Sequence, residues 1–296
     1  MTESSRETRN GILYGVAAYV LWGVVAVYFK IVGRVWPLEI LAHRIVWSVV
    51  VLFTIIALLR RWPLLRAVIT ARRTLLLLTF STVFIAVNWY IYIWSVTNSR
   101  MVEASLGYFI NPLVNVLLGF LFLGERLQGR EKISVALAAV AVVWLTIGAG
   151  VFPWISLTLA VSFALYSLLR KIAGVTAIEG LTVETLILLP LAVAYLIYRA
   201  RAGTLAFGHD SRSLDLWLLA AGPVTTVPLL CFAAAVRRLR LATLGLLQYI
   251  SPTLQFTLAV AVFGEPLGRE RLIAFVLIWV AIAIYSTAGW GETRNS

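Results

Sequence analysis

Ten stretches of about twenty residues, each almost free of charge, follow one another along the chain, separated by short segments rich in Arg, Pro and Gly. A helix rises 1.5 Å per residue, so about 20 apolar residues cross a hydrocarbon core of about 30 Å. Hydrocarbon offers no partner to a backbone N–H or C=O, so a spanning segment must be a helix or part of a closed barrel, and runs of this length predict helices. The predicted spans are 11–29, 37–59, 74–97, 102–123, 133–149, 152–169, 177–198, 214–235, 242–263 and 271–289. Ten such spans use roughly 200 residues of the 296 present. The remainder leaves no room for a separate soluble domain. With 61% hydrophobic and 13% charged residues, an all-α integral membrane protein is expected rather than a water-soluble globule.

The net charge of +12 would suit either nucleic acid or the anionic face of a membrane, and the apolar spans favour the membrane, with no nucleic-acid role. Arg6 and Arg9 precede a first stretch that has no small-residue cleavage site, which predicts a retained helix rather than a cleaved signal. If the amino terminus is cytoplasmic, the inner segments hold sixteen Lys and Arg residues, among them Arg60, Arg61, Arg66, Arg72 and Arg73, and the outer segments hold eight. The positive-inside rule therefore predicts a multi-pass protein with both termini in the cytoplasm. The lone Cys231 can form no internal disulfide and builds no metal site.

At an offset of 140, residues 100–127 lie without a gap over 240–267. Arg100 meets Arg240, Pro112 meets Pro252, Gly124 meets Gly264 and Glu125 meets Glu265; elsewhere Glu39 meets Glu179. Matched prolines and Gly-Glu pairs are hard to attribute to apolar composition alone. The chain is expected to divide into two five-helix repeats, 1–150 and 151–296. An odd number of spans per repeat makes the second copy enter the membrane from the opposite side. Inverted repeats of this kind place a site near the midplane and allow alternating access.

Candidate site residues recur at helical spacing within these spans. Tyr108, Asn111 and Asn115 share one face, and their counterparts Gln248, Ser251 and Gln255 are polar as well. Asn88, Tyr92 and Ser95 form another stripe beside Trp89, while Trp22 and Tyr166 could complete an aromatic and polar cavity with Tyr19 and Ser162. The plainer reading is that such side chains hold helices together, at about 0.6 kcal/mol per bond. Pro112 and Pro252 each free a carbonyl one turn earlier and are candidate hinges. Four ionisable groups at or inside spans stand out: His43, Arg44, Glu103 and Glu184. Glu103 is the expected partner of Arg44, and Arg170 or Lys171 that of Glu184; a structural ion pair or snorkelling competes with a coupling or binding role. The Gly124-Glu125 and Gly264-Glu265 pairs read as helix-ending turns. Trp36, Trp62, Trp154, Trp217 and Trp290 fall near span ends, where indole rings anchor at the headgroups. No phosphate-binding loop, metal-ligand motif or cofactor motif is present, so no nucleotide motor, metal or other cofactor is expected.

The stretches EILAHRIVWS (39–48), NWYIYIW (88–94), EASLGYFINPLVNVLLG (103–119), GERL (124–127), LQYISPTLQF (247–256) and GEP (264–266) resemble the EamA branch of the drug/metabolite transporter superfamily. The resemblance implies ten helices in two inverted five-helix repeats and a cavity lined by the first, third, fourth, sixth, eighth and ninth helices, away from the fifth and tenth. It further implies an exporter-like permease of the bacterial inner (plasma) membrane and a link to chloramphenicol sensitivity. The loop 199–213 carries no part of the likeness.

These observations predict a secondary transporter of a small amphipathic metabolite or drug, not an enzyme. Tyr108, Asn111, Asn115, Asn88, Gln248, Ser251 and Gln255 are expected to bond substrate, and Trp22, Trp89, Tyr92 and Tyr166 to stack on it. Its expected partners are that solute, membrane lipid and a proton or sodium as candidate coupling ion, with a homodimer as candidate assembly. A lipid-modifying enzyme using His43, Arg44 and Glu103, or a small channel, are the competing classes.

Overall fold

The computed structural model describes residues 3–123, 129–148, 152–236, 238 and 247–292, and all regular structure among them is helical. In chain order the helices are α1 (Glu3–Ile31), α2 (Pro37–Leu58), α3 (Trp62–Thr70), α4 (Arg72–Thr97), α5 (Met101–Leu123), α6 (Gly129–Gly148), α7 (Trp154–Ala173), α8 (Ala177–Arg201), α9 (Arg212–Leu219), α10 (Ala221–Val236), α11 (Ile250–Thr257) and α12 (Arg269–Glu292). Among the described residues seven stretches are long and apolar enough to cross a membrane: Glu7–Ile31, Pro37–Leu58, Arg72–Thr97, Met101–Phe122, Trp154–Ala173, Ala177–Arg201 and Arg212–Phe232. Two shorter apolar helices are Lys132–Gly148 and Ile250–Val262.

Local chemistry sets where these helices begin and end. Pro37 and Pro63 occupy first-turn positions, where the missing N–H would have no intrahelical acceptor. Ser211 caps α9, its Oγ accepting from the Leu214 N–H at 3.2 Å. Gly174, at φ 64°, closes α7 in the left-handed conformation that glycine adopts without steric penalty. Trp36, Trp62, Trp154 and Trp217 are exposed at the ends of their spans.

Three local features differ from the expected spans. The inner link after α2 contains α3, whose Leu65 is buried with Ile56, Leu78 and Val183. The single span expected at 214–235 is present as one stretch, Arg212–Phe232, with a one-residue turn at Ala220 between α9 and α10. Pro223 explains the break, because it cannot donate to the Leu219 carbonyl. In the ninth span, α11 continues into a π turn over Leu258–Val262, with Phe263 N–H donating to the Leu258 carbonyl at 2.8 Å. The Gly124-Glu125 turn lies outside the described residues, whereas Gly264 has φ 66° and ends its helix as expected.

Packing links the two halves of the chain closely. Helix α7 lies against α4 and α5, and α1 lies against the counterparts α10 and α11. Helices α2 and α8 pack together, as do α6 and α12. One group of contacts joins the segments expected on the outer side: Lys30 Nζ to Ser99 Oγ at 3.0 Å, Arg271 to Glu103 at 2.9 Å and Tyr28 to the Trp217 carbonyl at 2.9 Å. Glu265 completes it by accepting from the N–H groups of Met101 and Val102 at 3.0 and 2.9 Å, a carboxylate on the first turn of α5. Arg61 with Glu179 at 2.8 Å and Arg238 with Glu7 at 3.0 Å join segments expected on the inner side.

Close helix approach depends on small residues, since lipid leaves no hydrophobic drive for one helix to seek another. A Cβ on Gly107 of α5 would stand 2.7 Å from the Ser156 carbonyl oxygen and 3.1 Å from Leu159 Cβ of α7. Gly23 makes the corresponding approach of α1 to Leu254 of α11, with 2.7 Å to its Cβ. Gly107→Ala is expected to destabilise the protein by about 1–3 kcal/mol, the usual penalty of overpacking. Gly129→Ala, where a Cβ meets nothing within 4 Å, should leave stability unchanged, and thermal unfolding of both variants in detergent checks the contrast.

Candidate functional site

Polar residues of α5 and α11 each reach across to the other half. In α5 the Asn111 Nδ2 donates to the Ala160 carbonyl of α7 at 3.0 Å, and Asn115 Nδ2 donates to Asn111 Oδ1, also at 3.0 Å. In α11 the Gln255 Nε2 donates to the Trp22 carbonyl of α1 at 3.3 Å and to Ser251 Oγ at 3.2 Å. Each set thus combines a bond across helices with a bond one turn along its own helix. Gln255 Oε1 is buried with no hydrogen-bond partner. Gln248 is half-buried in the turn before α11, where its carbonyl accepts from Ser251 N–H at 3.3 Å.

Asn88 is the most fully engaged of the expected ligands. Its Nδ2 donates to the Leu159 carbonyl at 3.0 Å and to Ser162 Oγ at 3.1 Å, and its Oδ1 accepts from Tyr108 Oη at 3.0 Å. The geometry gives this residue a role in holding α4, α5 and α7 together. Tyr92 differs. Its ring meets Phe29 and Tyr108 with centroids 5.8 and 5.6 Å away, yet its buried hydroxyl has no hydrogen-bond partner. Trp22 lies in a triangle with Tyr19 and Phe232, at centroid distances of 5.6 and 5.5 Å. Pro112 lies inside the continuous α5, and Pro252 in the first turn of α11.

The structure separates the ionisable groups into distinct surroundings. Glu184, fully buried, accepts from Ser81 Oγ at 2.7 Å and from Tyr166 Oη at 3.4 Å, with Arg170 3.6 Å away as expected. Gly180 makes room for that arginine, because a Cβ there would collide with the guanidinium. Glu103 does not pair with Arg44, contrary to expectation; it binds Arg271 at 2.9 Å and lies 3.7 Å from Arg100. The reason is position: Glu103 begins α5 at the end of the bundle, beside the start of α12, whereas Arg44 is two turns inside α2.

Among the described residues no acid pairs with Arg44. Its Nε donates to Thr225 Oγ1 of α10 at 2.7 Å, and its guanidinium stacks 4.2 Å from the centroid of the Trp89 ring, with Phe29 at 5.9 Å. Tyr28, Tyr92 and Tyr108 lie within electrostatic range. His43, one position earlier, is buried with both ring nitrogens unpartnered and stacks on Phe207 at 5.0 Å. Sequence reasoning misses Thr225, Phe29 and Phe232 because nothing local marks them; Thr225 is 181 positions from the arginine it holds. Ser81 is equally silent, 103 positions from Glu184.

Two further carboxylates form reciprocal pairs along α2 and α8. Glu39 at the start of α2 lies 3.3 Å from Arg199 near the end of α8 and accepts from the Ala206 N–H at 2.8 Å. Glu179 at the start of α8 binds Arg61 just beyond α2 and accepts from Thr176 Oγ1. The two helices therefore run antiparallel, with one ion pair at each end.

The model of the EamA-like transporter family matches residues 9–147. The chain is 47% identical over 281 residues to Protein RarD of Escherichia coli (strain K12), covering 95% of each. It is 46% identical over 289 residues to an uncharacterized transporter of Vibrio cholerae, covering 98% of this chain and 96% of the relative. The Chloramphenicol-sensitive protein RarD of Pseudomonas aeruginosa is 35% identical over 298 residues, with 98% and 96% covered. One crystal structure shares the fold with a TM-score of 0.61 at 21% identity, covering 94% of this chain and 97% of that one.

Breaking the buried Arg170–Glu184 pair by Arg170→Ala is expected to destabilise the protein by about 3 kcal/mol, since an unpaired carboxylate is left inside the bundle. Adding Glu184→Gln should recover much of that loss. A double-mutant cycle of thermal stability in detergent measures the coupling.

Proposed function

The chain belongs to the EamA-like transporter family, and we propose that it is a secondary transporter moving a small amphipathic organic solute by alternating access. Membrane transport is the family's function. The specific proposal is the mechanism: two inverted five-helix repeats, 1–150 and 151–296, rock about a site between them while ten helices, both termini cytoplasmic, span a bacterial inner membrane. Chloramphenicol is one candidate solute, and a proton or sodium the candidate coupling ion.

The observation that carries this reading is the matched linkage of the halves. The α5–α7 and α11–α1 interfaces, which the 140-residue offset relates, each carry one amide-to-carbonyl bond between helices, Asn111 to Ala160 and Gln255 to Trp22, one turn apart in the repeat, and Gly107 and Gly23 serve the same two interfaces. A pair of equivalent interfaces lets one close as the other opens with little net change in energy, which is what alternating access needs. Hydrogen bonds averaging about 0.6 kcal/mol are weak enough to exchange. The outer and inner groups of polar contacts agree with the topology read from basic residues. Asn88 acts here as a structural tie, while Trp22, Tyr92, Tyr108, Asn115, Tyr166, Gln248, Ser251 and Gln255 are the proposed solute-facing groups, and Pro112 and Pro252 the flex points.

Two measurements test the reading. In a Cys231→Ser background, Gly129→Cys and Arg269→Cys should label from opposite faces of sealed vesicles; labelling from one face would remove the inverted arrangement. Proteoliposomes should carry chloramphenicol or a related aromatic solute with saturable kinetics, and Asn111→Leu should slow that flux at least several-fold while the protein stays folded. Flux that rises without saturation would indicate a channel, and product formation from lipid in detergent an enzyme.

A further inference from the structure

Among the described residues of the spans, each buried carboxylate already faces a basic group: Glu39 has Arg199, Glu179 has Arg61 and Glu184 has Arg170. Arg44 has no such partner. Intramembrane cations ordinarily pair with acids or backbone carbonyls and mark substrate or ion paths. Here Nε alone is engaged, by Thr225, and the face of the guanidinium is covered by Trp89. The half-buried side chain is contacted by α1 through Phe29, α4 through Trp89 and α10 through Thr225, so helices of both halves surround it. Close by on α4, one turn from Trp89, Tyr92 carries a hydroxyl that is buried and unpartnered.

Resting on the transporter reading above, we propose that Arg44 is an anion-recognition group of the transport path, and that it takes the carboxylate of an amphipathic organic acid. A guanidinium fixed at Nε and over one face presents a planar fork of N–H donors, which matches two carboxylate oxygens. The Tyr92 hydroxyl supplies a further donor. The surrounding rings of Phe29, Trp89, Tyr92 and Tyr108 favour an acid with an apolar body over a small hydrated anion, which has no apolar surface to bury there. Glu184, at the counterpart position of α8, is occupied by Arg170, so the two halves do not cancel and the unmatched charge is positive.

Binding in detergent tests this independently of flux, because no compartment is needed. A series of aryl and alkyl carboxylates including phenylacetate should raise the melting temperature, and phenylacetate should bind at least about tenfold more tightly than its neutral isostere phenylacetamide, as expected for a hydrogen-bonded charge. Arg44→Gln should abolish that preference, Arg44→Lys should keep it in part because the charge stays and the fork is lost, and Tyr92→Phe should weaken carboxylate binding several-fold. If Arg44→Gln does not fold, Arg44→Lys and Tyr92→Phe decide. Equal binding of acid and amide, a preference that survives in Arg44→Gln, no binding by any carboxylate, or equal protection by phosphate or chloride would overturn the proposal. Absence of saturable flux in vesicles alongside Arg44-dependent binding would instead remove the transporter reading and leave the anion site standing.

Discussion

An amide side chain that crosses from one helix to a backbone carbonyl of another ties the two halves of this molecule together, once at Asn111 and once at Gln255. In lipid, association of helices rests on close packing and a few polar bonds rather than on exclusion of apolar surface from water. Gly107 and Gly23 bring the backbones near enough for those bonds to form. The rest of the structure follows from that closeness: α7 nests between α4 and α5, α1 lies against α10 and α11, and the reciprocal ion pairs of α2 and α8 fix how those helices run.

Polar groups within hydrocarbon serve two purposes that the geometry distinguishes. Asn88 spends both donors and its acceptor on neighbouring helices, and Glu184 collects Ser81, Tyr166 and Arg170. Saturated groups of this kind hold a bundle together. Tyr92 Oη, Gln255 Oε1 and both nitrogens of His43 are buried without partners, and a desolvated group left so is unfavourable by about 1–3 kcal/mol unless something else satisfies it.

Much of the fold was legible in the sequence because hydrocarbon imposes one simple rule, an apolar run long enough to cross. The run at 214–235 crosses as one stretch, yet a turn interrupts its helix at Ala220 beside Pro223, because hydropathy averages over a residue whose missing N–H acts locally. The stripe of Tyr108, Asn111 and Asn115 was legible from spacing alone, as was a basic partner for Glu184 at the end of α7, Arg170 or Lys171, of which Arg170 is the one found. Partners from distant segments were not. Thr225 for Arg44 and Ser81 for Glu184 lack any local signature, and depth along the membrane normal misled the pairing of Arg44 with Glu103, whose carboxylate is drawn to Arg271 at the bundle end.

The departures from repetition are as informative as the repeats. Glu39 and Glu179 stand at equivalent positions, and the α5–α7 and α1–α11 interfaces each carry one amide-to-carbonyl bond and one close glycine, though at different positions of the repeat. Arg44 and Glu184 occupy equivalent positions and carry opposite charge, and only Glu184 is neutralised by the protein itself. A residue that merely held helices together would gain from the same arrangement in both halves. Arg44, stacked on Trp89 and unmatched by any acid among the described residues, is suited instead to the proposed role of receiving a solute that carries the missing charge.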